Sequence, residues 1–216
     1  LQAVGCAEAW LRSSRTPGIA TPETPYHGDE VVFCSTGDGT TSQGEFWESM
    51  NTACNLKLPV VYLVEDNGYA ISTPVEVNTA GGSISRLLSG FPDLYIQEVN
   101  GCDVLASYDA LTRAVDYCRQ RKGPALVHAK VIRPYSHSLS DDEVNYRTAA
   151  EREAEAERDP ATTFPRWLVS QGIASEVEIE RIRTAVAEEV DVATDTALAS
   201  PQPVTDTIYD FVYSPD

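Results

Sequence analysis

Apolar residues fall into two kinds of run along the chain. Residues 31–34, 60–64, 95–99 and 125–131 are short segments rich in β-branched residues and bounded by turn formers, the pattern of buried strands. Between and before them apolar positions recur at helical spacing: over residues 1–12, over 42–56 with Phe46, Met50 and Ala53 on one face, near 84–88, and over 103–121. Strands alternating with helices, each strand apolar on both faces, predict an α/β fold whose parallel sheet is covered by helices on both faces. A loop rich in Pro, Thr and Gly is expected over residues 13–29.

Past Arg133 the character changes. Residues 134–146 read as a polar loop and the rest as charged helix. Ser175 with Glu178 three positions later forms a capping-box start for a helix reaching about Ala199. The Pro-rich residues 200–216 read as a linker or docking arm. The predicted organisation is an α/β ligand-binding domain over 1–147, a helical part of the same domain over 148–199, and a tail over 200–216.

Composition narrows the function. The 216 residues are 42% hydrophobic, which is ordinary for a globular chain. Thirty-three acidic residues against 16 basic ones give a net charge of −17, which argues against nucleic acid and anionic membrane as partners. No apolar run approaches the roughly 20 residues of a membrane span, and no signal-peptide pattern opens the chain. Five cysteines without C-x-x-C spacing suit free thiols in a reducing compartment, so a cytoplasmic address is expected. The first residue is Leu1, already within a helical pattern, so the chain is expected to begin inside a larger protein.

The chemistry concentrates in loops at strand ends. Gly37-Asp38-Gly39 follows a strand and precedes a helix. Glycines there allow close backbone approach, and a helix N-terminus favours an anion. Asp38 would repel that anion unless a divalent cation lay between them, and oxygen ligands suit Mg. The second loop, Glu65-Asp66-Asn67-Gly68-Tyr69-Ala70-Ile71-Ser72, follows the next strand. In a parallel sheet both loops leave the carboxyl edge, where ligands of such folds bind. Asn67, 29 positions after Asp38, can supply an amide oxygen and Tyr69 a backbone carbonyl. By itself Gly-Asp-Gly most often marks a turn; the correctly spaced second loop turns it into a metal–diphosphate motif.

These residues carry a resemblance. Residues 37–45, Gly-Asp-Gly-Thr-Thr-Ser-Gln-Gly-Glu, and residues 67–74, Asn-Gly-Tyr-Ala-Ile-Ser-Thr-Pro, resemble the alpha-type part of the thiamine-diphosphate-dependent 2-oxo acid dehydrogenase E1 component. The second stretch is especially similar to branched-chain enzymes. Asp66 stands where Asn is more common, but the family's ligand Asn falls on Asn67. The loop Arg133-Pro134-Tyr135-Ser136-His137-Ser138-Leu139-Ser140-Asp141-Asp142, with Tyr146-Arg147 beyond it, is similar to the family's H-S-x-S-D loop. His137 matches its catalytic His. Many members carry a second His where this chain has Tyr135 and Ser136. Ser138 matches a position phosphorylated in some relatives, although an ordinary loop serine is the simpler reading.

The resemblance, which covers about residues 1–210, implies an N-terminally incomplete thiamine diphosphate and Mg domain over 1–147. It implies Asp38, Asn67 and Tyr69 as metal ligands, Gly37, Gly39 and Thr40 against the diphosphate, Ala70 and Ile71 beside the cofactor, and His137 in the reaction. The implied activity is oxidative decarboxylation of a small 2-oxo acid with acyl transfer to the lipoyl domain of E2. The Glu that activates the aminopyrimidine sits on the beta-type partner in this family. A beta-type E1 subunit or fused beta domain, in a heterotetramer, is therefore expected, and this chain is expected to be inactive alone. An acetoin dehydrogenase and a non-catalytic assembly domain are the alternatives. Residues 68–74 tilt the substrate towards branched-chain acids. Glu48 and Asn51 match family positions but fit a helix-face role equally. Asp103 is expected to cap the helix after it, and His27 and His128 to be structural.

Overall fold

The computed structural model describes residues 1–13, 15–18, 26–210 and 212. The predicted loop over 13–29 and the end of the predicted tail lie partly outside them. The chain forms two compact units, 1–164 and 165–216.

The first unit is built on four parallel strands, β1 (Val32–Gly37), β2 (Val60–Asp66), β5 (Tyr95–Asn100) and β6 (Ala125–Lys130), in the order β1-β2-β6-β5. A two-stranded antiparallel hairpin, β3 (Tyr69–Ala70) and β4 (Thr73–Pro74), stands beyond the end of β2. The parallel α/β sheet flanked by helices is the architecture that the alternating runs predict. Strand period two then decides which side chains share a face. Val60, Tyr62 and Val64 of β2 and Leu126 of β6 pack on α1 (Gln2–Ser13), α2 (Gly44–Leu56) and α4 (Ile84–Leu87), through Val4, Ala7, Phe46, Met50, Ala53, Cys54 and Ile84. Val61, Ala125 and Val127 face the other way, onto Ala110, Ala114 and Cys118 of α5 (Val104–Arg119). That second cover stops short of β1, where Phe33 is 53% exposed.

Local chemistry sets the helix ends. Asp103 caps α5, accepting the Ala106 N–H at 3.0 Å, as its position predicts. Helix α2 ends where Lys57 takes a left-handed conformation with φ 52° before Leu58-Pro59. Between β1 and α2 the chain makes a 3₁₀ turn over Gly39–Ser42, a turn type that short polar runs do not announce. Further along, α3 (Val75–Asn78), α6 (Ala149–Ala156) and α7 (Pro160–Ser170) complete the helices up to the unit boundary, which α7 crosses.

In the second unit the helix α8 (Glu176–Ala199) starts with the predicted capping box: Ser175 Oγ accepts the Glu178 N–H at 3.2 Å and Glu178 accepts the Ser175 N–H at 2.8 Å. Within the predicted tail, Thr205–Tyr209 form a 3₁₀ turn. No helix among the described residues is long and apolar enough to cross a membrane.

Candidate functional site

The register of the sheet brings the two motif loops together. Gly37 pairs with Glu65 at the ends of β1 and β2, so Asp38 and Asp66 lie side by side at the carboxyl edge. Asp38 is 1% exposed, and its Oδ2 is buried with no hydrogen-bond partner. Burial and the neighbouring charge of Asp66 push its carboxyl up, against the backbone amides of Asp38 and Asn67 and the Lys130 ammonium, which favour the anion. A buried carboxylate oxygen left without a partner costs on the order of 1–3 kcal/mol or more. A bound cation would remove that cost.

Around Asp38 the backbone is tied down. Its carbonyl accepts the Thr41 N–H at 3.1 Å and the Thr41 hydroxyl at 2.6 Å, which forms the 3₁₀ turn. The hairpin β3–β4 closes over the turn. A Cβ at Gly39 would lie 2.7 Å from Ala70 Cβ and 3.2 Å from Ala70 Cα, so only glycine fits this approach. Gly68, at φ 83°, turns the chain into the hairpin, and its carbonyl accepts the Val75 N–H at 2.8 Å.

Asp66 and Asn67 differ in the partners they already hold. Burial alone would raise the Asp66 carboxyl, but hydrogen bonds from His128, Lys130 and the Gly68 N–H bring it down to about 2. Two of these donors fall on Oδ2 and one on Oδ1. The Asn67 Oδ1 accepts one bond, from the Tyr69 N–H at 3.1 Å, and keeps a second lone pair for a metal. Among the described residues no group of three or more His, Cys, Asp or Glu could hold a metal ion. The candidate set here contains one carboxylate, one amide and one backbone carbonyl, which suits a hard, oxygen-seeking cation.

Ile71, at the hairpin tip, is 52% exposed and adopts φ 58°. A β-branched residue in the left-handed region is an outlier, and such strain persists where surrounding contacts impose it. Ile71 lies in the tight turn between β3 and β4, and Arg133 Nη1 donates to its carbonyl at 2.7 Å. The same guanidinium donates through Nη2 to the Tyr146 hydroxyl at 2.6 Å. That hydroxyl donates to Asp141 Oδ2 at 2.5 Å, which also accepts the His137 N–H at 2.9 Å. His137 is exposed and is joined to the hairpin through this chain of side chains. Tyr135 and Leu139 on either side of it are exposed too.

Arg147 anchors the end of the His137 loop. It is 3% exposed and bonds Glu143 at 2.8 Å, Glu155, and the Arg133 carbonyl at 3.0 Å. The ring of Tyr69 lies under both guanidiniums, 5.8 Å from Arg133 and 5.7 Å from Arg147, and its hydroxyl donates to Glu151 at 2.8 Å. Sequence reasoning passes over Arg133, Tyr146 and Arg147 as a working group. The usable signal is an Arg on each side of a polar loop with Tyr and Asp between them.

The structure thus brings Asp38, Gly39, Asn67, Tyr69, Ala70 and Ile71 to one edge, and connects His137 to it. Glu48 stays on the exposed surface of α2, the helix-face role. His128 is buried, as its strand position suggests, yet it bonds Asp66 directly.

The chain matches the dehydrogenase E1 component family over residues 8–205. It is 34% identical over 193 residues to the human mitochondrial pyruvate dehydrogenase E1 component subunit alpha, somatic form, covering 88% of this chain and 49% of that protein. The human testis-specific form is 34% identical over 200 residues, covering 92% and 51%. The mitochondrial subunit of Sminthopsis macroura is 33% identical over 200 residues, covering 92% and 54%. The chain therefore spans about half the length of the curated relatives it matches. With the paired loops at the sheet edge and a match along most of its length, this chain belongs to the dehydrogenase E1 component family.

Proposed function

We propose that this chain is the cofactor-holding alpha part of a 2-oxo acid dehydrogenase E1 component. The whole protein would bind thiamine diphosphate through Mg, decarboxylate a small 2-oxo acid and pass the acyl group to a lipoyl domain of E2. The observation that carries the reading is the unpartnered, buried Oδ2 of Asp38 at the edge where the two loops meet. The orphaned carboxylate oxygen calls for a cation, and a diphosphate held by that cation at the same sheet edge would lie near Gly37, Gly39 and Thr40.

In this reading Asp38, the Asn67 amide oxygen and the Tyr69 carbonyl hold Mg. Thiamine diphosphate, when bound, supplies the electron sink that decarboxylation needs. The chain's own residues position it and serve the reaction. Ala70 and Ile71 border the cofactor, and the strained, exposed Ile71 side chain presents an apolar surface there. His137, held at its backbone by Asp141, can hold or release a proton at its ring and stabilise negative charge.

A beta-type partner, as a separate subunit or a fused domain, belongs to the proposal, since the relatives are named as alpha subunits. The substrate is a 2-oxo acid. The relatives are named for pyruvate, whereas residues 68–74 tilt towards branched-chain acids. Five free cysteines fit a reducing compartment such as cytoplasm.

The test is a panel of 2-oxo acids and acetoin, offered to the full-length protein with its partner and an artificial electron acceptor. Turnover of a 2-oxo acid that needs thiamine diphosphate and Mg is the expected result. Turnover of acetoin alone would assign the acetoin class, and absence of any turnover with no cofactor binding would leave an assembly domain.

A further inference from the structure

Behind the metal loop the sheet carries a second line of polar side chains. His128 in β6 is 0% exposed, and its ring is held at both nitrogens. Nε2 donates to Asp66 Oδ2 at 2.7 Å, and Nδ1 lies 3.0 Å from Ser85 Oγ on α4. Ser85 Oγ is also within hydrogen-bond reach of the Glu98 carboxylate on β5, so its one proton can serve either His128 Nδ1 or Glu98. Asp66 Oδ2 also receives the Lys130 ammonium, and its Oδ1 accepts the Gly68 N–H at 2.9 Å.

Two carboxylates at one sheet edge pose a problem of choice. Asp38 and Asp66 could both turn to a cation, or repel one another when none is bound. The donors on Asp66 decide between them. With three donors on its two oxygens it faces inward and takes the Gly68 N–H, so its side chain braces the turn that presents Asn67 and Tyr69. Lys130 is a weak anchor, because its side chain is 45% exposed and its ammonium sits on a flexible stem. His128 is the stiff one, a planar ring locked from behind by Ser85.

We propose that His128 is a positioning residue of the metal site: it holds Asp66 turned away from Asp38, which keeps Asp66 out of the ligand set and fixes the Asn67–Tyr69 loop from beneath. The proposal rests on the reading that Asp38, Asn67 and Tyr69 hold Mg. Removing a direct partner of a metal ligand typically costs about 10–100-fold in metal affinity; His128 acts one residue further back, through Asp66, so the lower end of that range is expected.

The experiment measures the Mg concentration that half-saturates thiamine diphosphate binding, by calorimetry on the full-length protein with its partner. It compares His128→Leu, which removes the donor at similar volume, with His128→Gln, which keeps one N–H. His128→Leu should raise half-saturating Mg about tenfold or more, with kcat at saturating Mg falling by a smaller factor, and His128→Gln should restore it to within about threefold. Melting temperature without Mg reports any cost to the fold separately. A lowered melting temperature with half-saturating Mg unchanged or lowered would overturn the proposal. If His128→Leu fails to fold, Ser85→Ala unlocks the ring from behind, and an unchanged Mg requirement there would equally overturn it. Asp38→Ala is run in parallel. Mg-dependent binding surviving in that variant sinks the underlying reading, whereas its loss beside a silent His128→Leu sinks only the role of His128.

Discussion

Arg133 donates to the carbonyl oxygen of Ile71, 62 positions earlier in the chain, at 2.7 Å. That bond links the β3–β4 hairpin to the loop that carries His137. Its second branch runs through Tyr146 and Asp141 to the His137 N–H. Arg133 is thus a shared post for two segments far apart in sequence, and its planar fork suits a task that a lysine ammonium cannot reproduce.

Arg133→Lys should therefore loosen the His137 loop while leaving the sheet intact. We expect faster cleavage within residues 134–146 under limited proteolysis, and a fall in kcat on the order of tenfold in the partnered protein, as for other losses of positioning. Loop cleavage at the wild-type rate would count against the linkage.

Gly39 and Gly44 make a matched pair. Alanine at Gly39 would press into Ala70, while a Cβ at Gly44 meets nothing within 4 Å. Gly39→Ala should weaken thiamine diphosphate binding by roughly tenfold or more, since the hairpin must shift by a sizeable part of an ångström. Gly44→Ala, in the first turn of α2, should leave binding within about twofold. Calorimetric titration of both variants checks the contrast.

Arg147 gives a stability prediction. Burial alone would lower its guanidinium, but Glu155 and Glu143 more than offset that and raise it. Removing one member of such a buried network leaves carboxylates uncompensated. Because the glutamates are partly solvent-accessible, Arg147→Met should cost about 3 kcal/mol, the lower end of the range for buried pairs. Urea unfolding followed by circular dichroism would measure it.

The alkaline limb of stability has a named source. Burial pushes the Cys118 thiol up to about 12 and the Cys54 thiol up to about 11, from an ordinary value of 9.0. The folded chain keeps protons that the unfolded chain releases, so this contribution is complete below about pH 9 and is lost as pH rises towards 11–12. Unfolding midpoints should fall between pH 8.5 and about 10.5, and Cys118→Ala should flatten that fall although it lowers the midpoint at neutral pH.

The fold was legible because the residues that decide it are local and repetitive. Val60, Val61 and Val64 mark a buried parallel strand by composition alone, and Ser175 with Glu178 marks a helix start by two side chains. The pair of loops at Asp38 and Asn67 was legible for a different reason: strand, glycine and carboxylate stand in fixed order. What escaped depends on register between distant segments. His128 reads as an interior strand residue until the pairing of β2 with β6 sets it across from Val64, two residues from Asp66. A buried histidine demands partners, and that rule was the available warning. The Arg133–Ile71 bond left no such trace, because an arginine bonding a backbone carbonyl leaves no mark on the sequence around that carbonyl.

The central claim is that Asp38, with Asn67 and Tyr69, holds a metal that carries a diphosphate. Its most direct test is thiamine diphosphate titration by calorimetry, with and without Mg, on the full-length protein and its partner, wild type beside Asp38→Ala. The account predicts binding that requires Mg and is abolished in the variant. Equal binding without Mg, or undiminished binding by Asp38→Ala, would contradict it.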